Sequence, residues 1–145
     1  MADLANFEAL VPADHGLIVM TVIGPDGRMR PSVVNAGVID HPITASRVVA
    51  VVIHGQARKL AHLRSRPRAS VVLRAGWRWA AVEGPTEIIG PDDPANGIGS
   101  ERLRLLLREI FTAAGGTHED FDEYDRVMAA ERRAAVLITP ERVFG

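Results

Sequence analysis

The sequence predicts a mainly β protein, an antiparallel barrel of six or seven strands with helices inserted between some of them. Short apolar segments recur along the chain, most of them joined by hairpin turns, and two amphipathic helical segments precede the last strand. With 145 residues, the chain is expected to form one domain, 1–145, that buries roughly 70% of its unfolded surface.

The N-terminal part predicts a short helix followed by a β-hairpin. Residues 3–10 have apolar side chains at helical spacing, and Pro12 is expected to end this helix. Residues 17–23 and 29–39 are the two predicted strands. Their turn, 24–27, has Pro at the second position and Gly, which can adopt a positive φ, at the fourth.

Side-chain alternation predicts the two faces of the strand 29–39. One face carries Val33 and Asn35. The other face carries Ser32, Val34, Ala36 and Val38.

A buried strand, a glycine turn and a basic helix follow. Residues 48–53 are all apolar and rich in β-branched side chains, which predicts a strand at 47–53 that is buried on both faces. The helix is expected to begin after Gly55 and to end near Arg64, because the Ser-Arg-Pro sequence at 65–67 cannot continue it.

Arg58 and Lys59 fall in the first turn of this helix, where its dipole disfavours cations by about 0.3 kcal/mol or more each. A bound anion would reverse that effect, because the turn N–H groups, the dipole and both side chains could converge on it. Lys59 is also the only lysine among 17 Lys and Arg residues. We therefore predict an anion site here, with a solvated basic helix as the alternative.

A second hairpin is predicted from the strands 69–73 and 77–83, with its turn at 75–76. The period of two places Trp77 and Trp79 on the same face, where they could form a flat wall for stacking. Their alternative role is to form the core of a dimer interface.

The C-terminal part predicts a strand break, two helices and a last strand. Gly84-Pro85 indicates a bulge or an edge before a strand at 86–89. After the loop 90–99, Ser100 and Thr117 are the predicted N-terminal capping residues of two helices. The predicted buried stripes of these helices are Leu103, Leu106, Leu107, Ile110 and Ala114 in the first, and Phe121, Tyr124 and Met128 in the second. The last strand is 135–139.

Composition excludes several classes of function. A formal net charge of −1 offers no global attraction for nucleic acid or a membrane, and the absence of cysteine excludes disulfides and thiol catalysis. The N-terminus does not have the pattern of a signal peptide, so we expect a cytoplasmic protein. No catalytic triad, H-E-x-x-H or Walker motif occurs, and His15, His41 and His118 are interpreted as surface or hydrogen-bonded histidines. We name no catalytic residue and no metal ligand.

Four segments of the chain are similar to one family. They are 31–35, 57–70, 76–84, and 121–124 with 131–133. The spacing Lys-x-x-x-Leu-Arg-x-x-Pro-Arg-Ala-Ser at 59–70 is the most specific. Together the segments resemble the split β-barrel flavin-binding proteins of the pyridoxamine-phosphate-oxidase-like superfamily, and more narrowly its actinobacterial deazaflavin-dependent branch.

This resemblance implies a split β-barrel homodimer with two cofactor sites in grooves between the subunits. It implies coenzyme F-420, an 8-hydroxy-5-deazaflavin, as the hydride carrier, with FMN as the alternative cofactor. Arg58 and Lys59 would hold the cofactor phosphate beside the backbone of His54 and Gly55. Trp77 and Trp79 would line the groove. Asn35 would lie near the ring, or alternatively be a hydrogen-bonded amide at a strand edge.

One position departs from the family pattern. Relatives often have Arg two positions before the lysine, where this chain has Ala57. The guanidinium could come instead from Arg58, or the affinity for phosphate could be lower.

Three functions remain open at this point. The first is an oxidoreductase that transfers hydride from reduced F-420 to a small unsaturated organic acceptor. The others are an FMN-dependent oxidase of the same fold and an F-420 carrier without turnover. The acceptor pocket is expected to be formed by loops such as 42–46 and 91–99.

Overall fold

The computed structural model describes residues 3–145 and confirms the mainly β architecture. The helices are α1 (Leu4–Leu10), α2 (Arg58–Ser65), α3 (Ser100–Ala113) and α4 (Phe121–Ala130), and a 3₁₀ turn (Val11–Asp14) follows α1. The strands are β1 (Leu17–Ile23), β2 (Met29–Asp40), β3 (Arg47–Ile53), β4 (Arg68–Ala75), β5 (Arg78–Ile89), β6 (Ala134–Ile138) and β7 (Arg142–Phe144). Within the described residues, no helix is both long and apolar enough to cross a membrane.

Six strands close into an antiparallel barrel. They follow the order β4-β1-β2-β3-β6-β5, and a further pairing between β4 and β5 completes the ring. The seventh strand, β7, pairs with the first part of β5. The barrel with helical additions is therefore confirmed.

β3 is buried on both faces, as predicted, because its alternate side chains enter two different cores. Val49, Val51 and Ile53 point into the barrel core, which α1 and α2 also enter. Val48 and Ala50 belong to a second core, under α3 and α4. The two helices thus cover one outer side of the barrel.

The opposite outer side of the barrel carries exposed apolar side chains. They are Leu17, Val19, Val33, Val72 and Trp79, and they come from β1, β2, β4 and β5. Val19 lies opposite Val33 on one side and Val72 on the other, so these three valines form a row across three strands. We call this surface the apolar face.

Two local predictions were wrong, and one strand was missed. Gly99, not Ser100, is the N-cap of α3, and Ser100 is the first helical residue. Asp120, not Thr117, caps α4, because its own side chain accepts from the N–H of Glu123 at 3.2 Å. β7 was not predicted as a strand.

The predicted break at Gly84-Pro85 is a change of partner within one continuous strand. β5 pairs with β4 up to Pro85 and with β6 from Thr86 onward. At the change, the backbone of Thr139 crosses so close that a Cβ on Gly84 would lie 1.9 Å from its carbonyl oxygen. Only glycine permits this approach.

Gly84→Ala is therefore expected to lower the free energy of unfolding by about 1–3 kcal/mol, because the backbone must move to admit the methyl group. Denaturant unfolding measures this difference. Gly99→Ala is the matched control, since no atom of residues 3–145 lies within 4 Å of its Cβ position. Equal losses in the two variants would contradict the proposed backbone contact.

Candidate functional site

A positively charged cavity lies where α2 meets the β1–β2 hairpin. Its volume is about 420 Å³. It is lined by Pro25, Arg30, Ser32, Arg58, Lys59 and His62. None of these six residues is acidic, so the lining has three cationic side chains and a histidine. We call it the basic cavity.

Lys59 is held inside this cavity by β2. Its Nζ donates to the hydroxyl oxygen of Ser32 at 2.8 Å, a neutral partner that leaves the ammonium charge uncompensated. Burial lowers the pKa of Lys59 below its ordinary value, because desolvation disfavours the charged form. An anion in the cavity would reverse this shift.

The start of α2 also offers backbone donors. Its N-cap, Ala57, provides no side-chain acceptor. Among the described residues, the N–H groups of Arg58 and Lys59 have no hydrogen-bond partner, as is usual for the first turn of an uncapped helix. These two N–H groups are at the positive end of the helix dipole.

The glycine turn before α2 does not contribute the free donors that were predicted. The N–H of Gly55 donates to the carbonyl of Glu131 at 3.1 Å, and that of Ala57 to the carbonyl of His54 at 3.0 Å. The His54 ring accepts from the N–H of Gln56 at 3.1 Å. His54 and Gly55 are not among the residues that line the basic cavity. The expectation of free turn N–H groups was wrong, because one of them donates to the segment after α4 and the other two donate to His54 within the turn.

A second, larger cavity lies on the apolar face. Its volume is about 1110 Å³. It is lined by Ala13, Asp14, Leu17, Ile18, Val19, Val33, Val72, Arg74, Ala75, Gly76, Trp77 and Trp79. Asp14 and Arg74 are the only charged residues among these twelve. We call it the tryptophan groove.

Both tryptophans line this groove, but Trp77 does so from a turn. Ala75 pairs with Arg78, so Gly76 and Trp77 form the tip of the hairpin, one residue later than predicted. Gly76 adopts a φ of 63°, which favours glycine and fixes the turn there. The Trp77 side chain is fully exposed and that of Trp79 is 51% exposed. The indoles thus offer a large apolar surface.

The predicted site residues are divided among separate cavities. Ser32 in the basic cavity and Val33 in the tryptophan groove are successive residues of β2, whose side chains point to opposite faces. Asn35 lines neither cavity. It lies in a third one, and its Nδ2 donates to the carbonyl of His15 at 2.8 Å.

Sequence reasoning missed four residues of the basic cavity, Pro25, Arg30, Ser32 and His62. Strand periodicity places Arg30 on the same face as Ser32, and helical periodicity places His62 on the face of Lys59. What could not be read from the sequence is that this end of β2 faces α2.

Comparison with solved structures identifies the fold. No protein-family model matches the sequence. A conserved hypothetical protein from Mycobacterium tuberculosis is similar at a TM-score of 0.70 and 20% identity, over 99% of this chain and 83% of that one. A pyridoxamine 5'-phosphate oxidase-related, FMN-binding protein from Nostoc punctiforme is similar at a TM-score of 0.61 and 14% identity, over 97% of this chain and 78% of that one. An F-420 reductase is similar at a TM-score of 0.63 and 12% identity, over 94% of each chain.

The chain therefore has the split-barrel fold of pyridoxamine-phosphate-oxidase-like, FMN-binding proteins, as the resemblance implied. A haem-binding protein from Mycobacterium smegmatis and a haem storage protein from Vibrio cholerae share this fold. The fold alone therefore does not select the cofactor.

Proposed function

We propose that the protein is an oxidoreductase that transfers hydride from reduced coenzyme F-420 to a small unsaturated organic acceptor. The observation that carries this proposal is the combination of a basic cavity with an apolar, tryptophan-lined groove. A deazaflavin has an anionic phosphate and a flat ring, which match these two environments. The likeness to an F-420 reductase supports the same choice.

The basic cavity would hold the cofactor phosphate. Lys59 and Arg58 would supply the charge, and the N–H groups at the start of α2 would supply directed donors. Arg30 is in part committed, because it donates to Asp26 at 2.9 Å. Lys59 is less committed than Arg30, since among the described residues its ammonium group has only the Ser32 hydroxyl as a partner.

The tryptophan groove would hold the ring. Trp77 and Trp79 would provide stacking surface, and the valines of the apolar face would exclude water from it. The bound cofactor supplies the transferable hydride. The chain's own residues position the reactants and keep the groove dry, so no protein nucleophile is required.

A second copy of the chain would bring the two environments together. In one chain, the basic cavity and the tryptophan groove take successive residues from opposite faces of β2. A homodimer that buries the apolar face would place the groove of one subunit against its partner. We propose this homodimer, with cofactor sites between subunits, as the resemblance implies.

FMN is the alternative cofactor, because an FMN-binding protein shares the fold at a similar TM-score. We expect F-420 to bind more tightly than FMN when the cofactor-free protein is titrated with each, followed by absorbance. Equal or reversed affinities would refute the choice of cofactor. Turnover of a panel of unsaturated acceptors with reduced F-420 then separates an enzyme from a carrier, which binds without turnover.

A further inference from the structure

A third cavity lies between the barrel and the helices α3 and α4. Its volume is about 350 Å³, within the range of small-molecule sites. It is lined by His15, Asn35, Val52, Ile110, Phe111, Ala114, Gly116, Tyr124, Met128 and Arg133. It includes no residue of the basic cavity, of the tryptophan groove or of the loops 42–46 and 91–99. We call it the helix-side cavity.

Its walls suit a flat aromatic molecule. The rings of Phe111 and Tyr124 lie 4.9 Å apart between centroids, and Met128 adds a side chain that adapts to irregular shapes. The Phe111 ring lies close to Gly116, where a Cβ would come within 2.6 Å of the ring, so the absence of a side chain at Gly116 leaves room for it. The Tyr124 hydroxyl is already committed to the carbonyl of Leu107 at 3.1 Å.

One lining residue can bind an anion. Arg133 is bound through Nε and Nη2 to one carboxylate oxygen of Glu131, at 2.8 Å each, which leaves the Nη1 donors of the guanidinium available. None of the ten lining residues is acidic. A ligand carboxylate could therefore pair with the Nη1 donors, on the edge of the guanidinium that Glu131 does not occupy, while Glu131 compensates part of the Arg133 charge.

Two other lining residues offer free acceptors. The His15 Nδ1 lies 3.1 Å from the carbonyl of Gly115 and must donate to it, so the neutral ring keeps a lone pair on Nε2. Asn35 donates through Nδ2 to the His15 carbonyl, so its own carbonyl oxygen remains an acceptor. His15 adopts a φ of 52°, a left-handed conformation that is unusual outside glycine and often marks functional sites.

We propose that the helix-side cavity binds a small, flat aromatic carboxylate that also carries a hydroxyl group. The aromatic ring packs against the wall formed by Phe111, Tyr124 and Met128. The carboxylate pairs with Arg133, and the hydroxyl donates its one proton to Nε2 of His15 or to the carbonyl oxygen of Asn35. Binding requires neither cofactor nor dimer, so this proposal stands or falls independently of the redox function.

Calorimetric titration of the cofactor-free protein with 4-hydroxycinnamate tests the proposal. The matched probes are 4-hydroxycinnamamide, which lacks the charge, and cinnamate, which lacks the hydroxyl. We expect the acid to bind at least about tenfold more tightly than the amide, and several-fold more tightly than cinnamate. Arg133→Gln should abolish the preference for the acid.

Arg126→Gln is the control, because Arg126 is exposed on α4 and does not line the cavity. It should bind all three probes as the wild type does. Ala114→Leu, which fills the cavity, should abolish binding of all three. If Ala114→Leu does not fold, the comparison of Arg133→Gln with Arg126→Gln tests the proposal. The proposal would be overturned if none of the probes bound at millimolar concentration. It would also be overturned if the acid and the amide, or the hydroxylated and the plain acid, bound with equal affinity, or if the two arginine variants had equal effects.

Discussion

Replacing Lys59 with alanine is expected to raise the dissociation constant for the phosphate-bearing cofactor about 10- to 100-fold, because a charge-assisted hydrogen bond is worth roughly 1.5–3 kcal/mol. Binding titrations measure the change. The fold should be unaffected or slightly more stable. In the folded protein, burial disfavours the ammonium charge and Ser32 only partly compensates for it.

The pH dependence of stability gives a second readout for the same variant. Burial puts the pKa of Lys59 in the folded protein below that of the unfolded chain, so between these two values the unfolded chain binds more protons. The free energy of unfolding of the wild type should therefore rise as the pH rises between these two pKa values. Lys59→Ala should lack this gain, which denaturant unfolding over a pH series would detect.

Arg66→Ala is the matched control, because Arg66 is an exposed cation at the other end of α2. It should change cofactor affinity less than twofold. The effects of replacing Arg58 and Lys59 on the free energy of cofactor binding should be non-additive, since both side chains bind the same anion. A loss of several degrees in melting temperature with unchanged cofactor affinity would show instead that Lys59 is structural.

Local patterns predicted most of the fold. β1 and β3 begin and end where the sequence predicted, because short β-branched apolar runs with turn residues at both ends leave few alternatives. β7 was missed because it has only three residues, and it is stabilised by pairing with β5 rather than by a pattern of its own. The partner change at Gly84 likewise depends on where the Thr139 backbone crosses, which is tertiary information.

The candidate site was predictable only where it depends on interactions between residues that are close in the sequence. The unfavourable position of Lys59 in a helix dipole is visible from the sequence, and the structure places that residue in a basic cavity. The hydrogen bond that the N–H of Gly55 makes was not predictable, because its acceptor, the carbonyl of Glu131, is distant along the chain. The separation of Asn35 from the tryptophans also required the sheet register and the helices that cover β2.

The apolar face leads to the last prediction, which concerns assembly. Val19→Asp is expected to make the protein monomeric at micromolar concentration, because the row of valines would then carry a carboxylate into a dry interface. Burying an unpaired charge costs several kcal/mol, which corresponds to at least about 100-fold in the dimer dissociation constant. Light scattering measures the mass. The fold should be retained, since Val19 points away from the barrel core.

Val127→Asp is the control for this prediction, because Val127 on α4 has the same exposed fraction, 42%, as Val19. It should leave the protein dimeric. Val19→Asp should also lose cofactor affinity, both because Val19 lines the tryptophan groove and because the partner subunit is lost, while Val127→Asp keeps it. A monomeric wild type, or a dimeric Val19→Asp variant, would contradict assembly through the apolar face. Full cofactor affinity in a monomeric Val19→Asp variant would place the complete site within one chain.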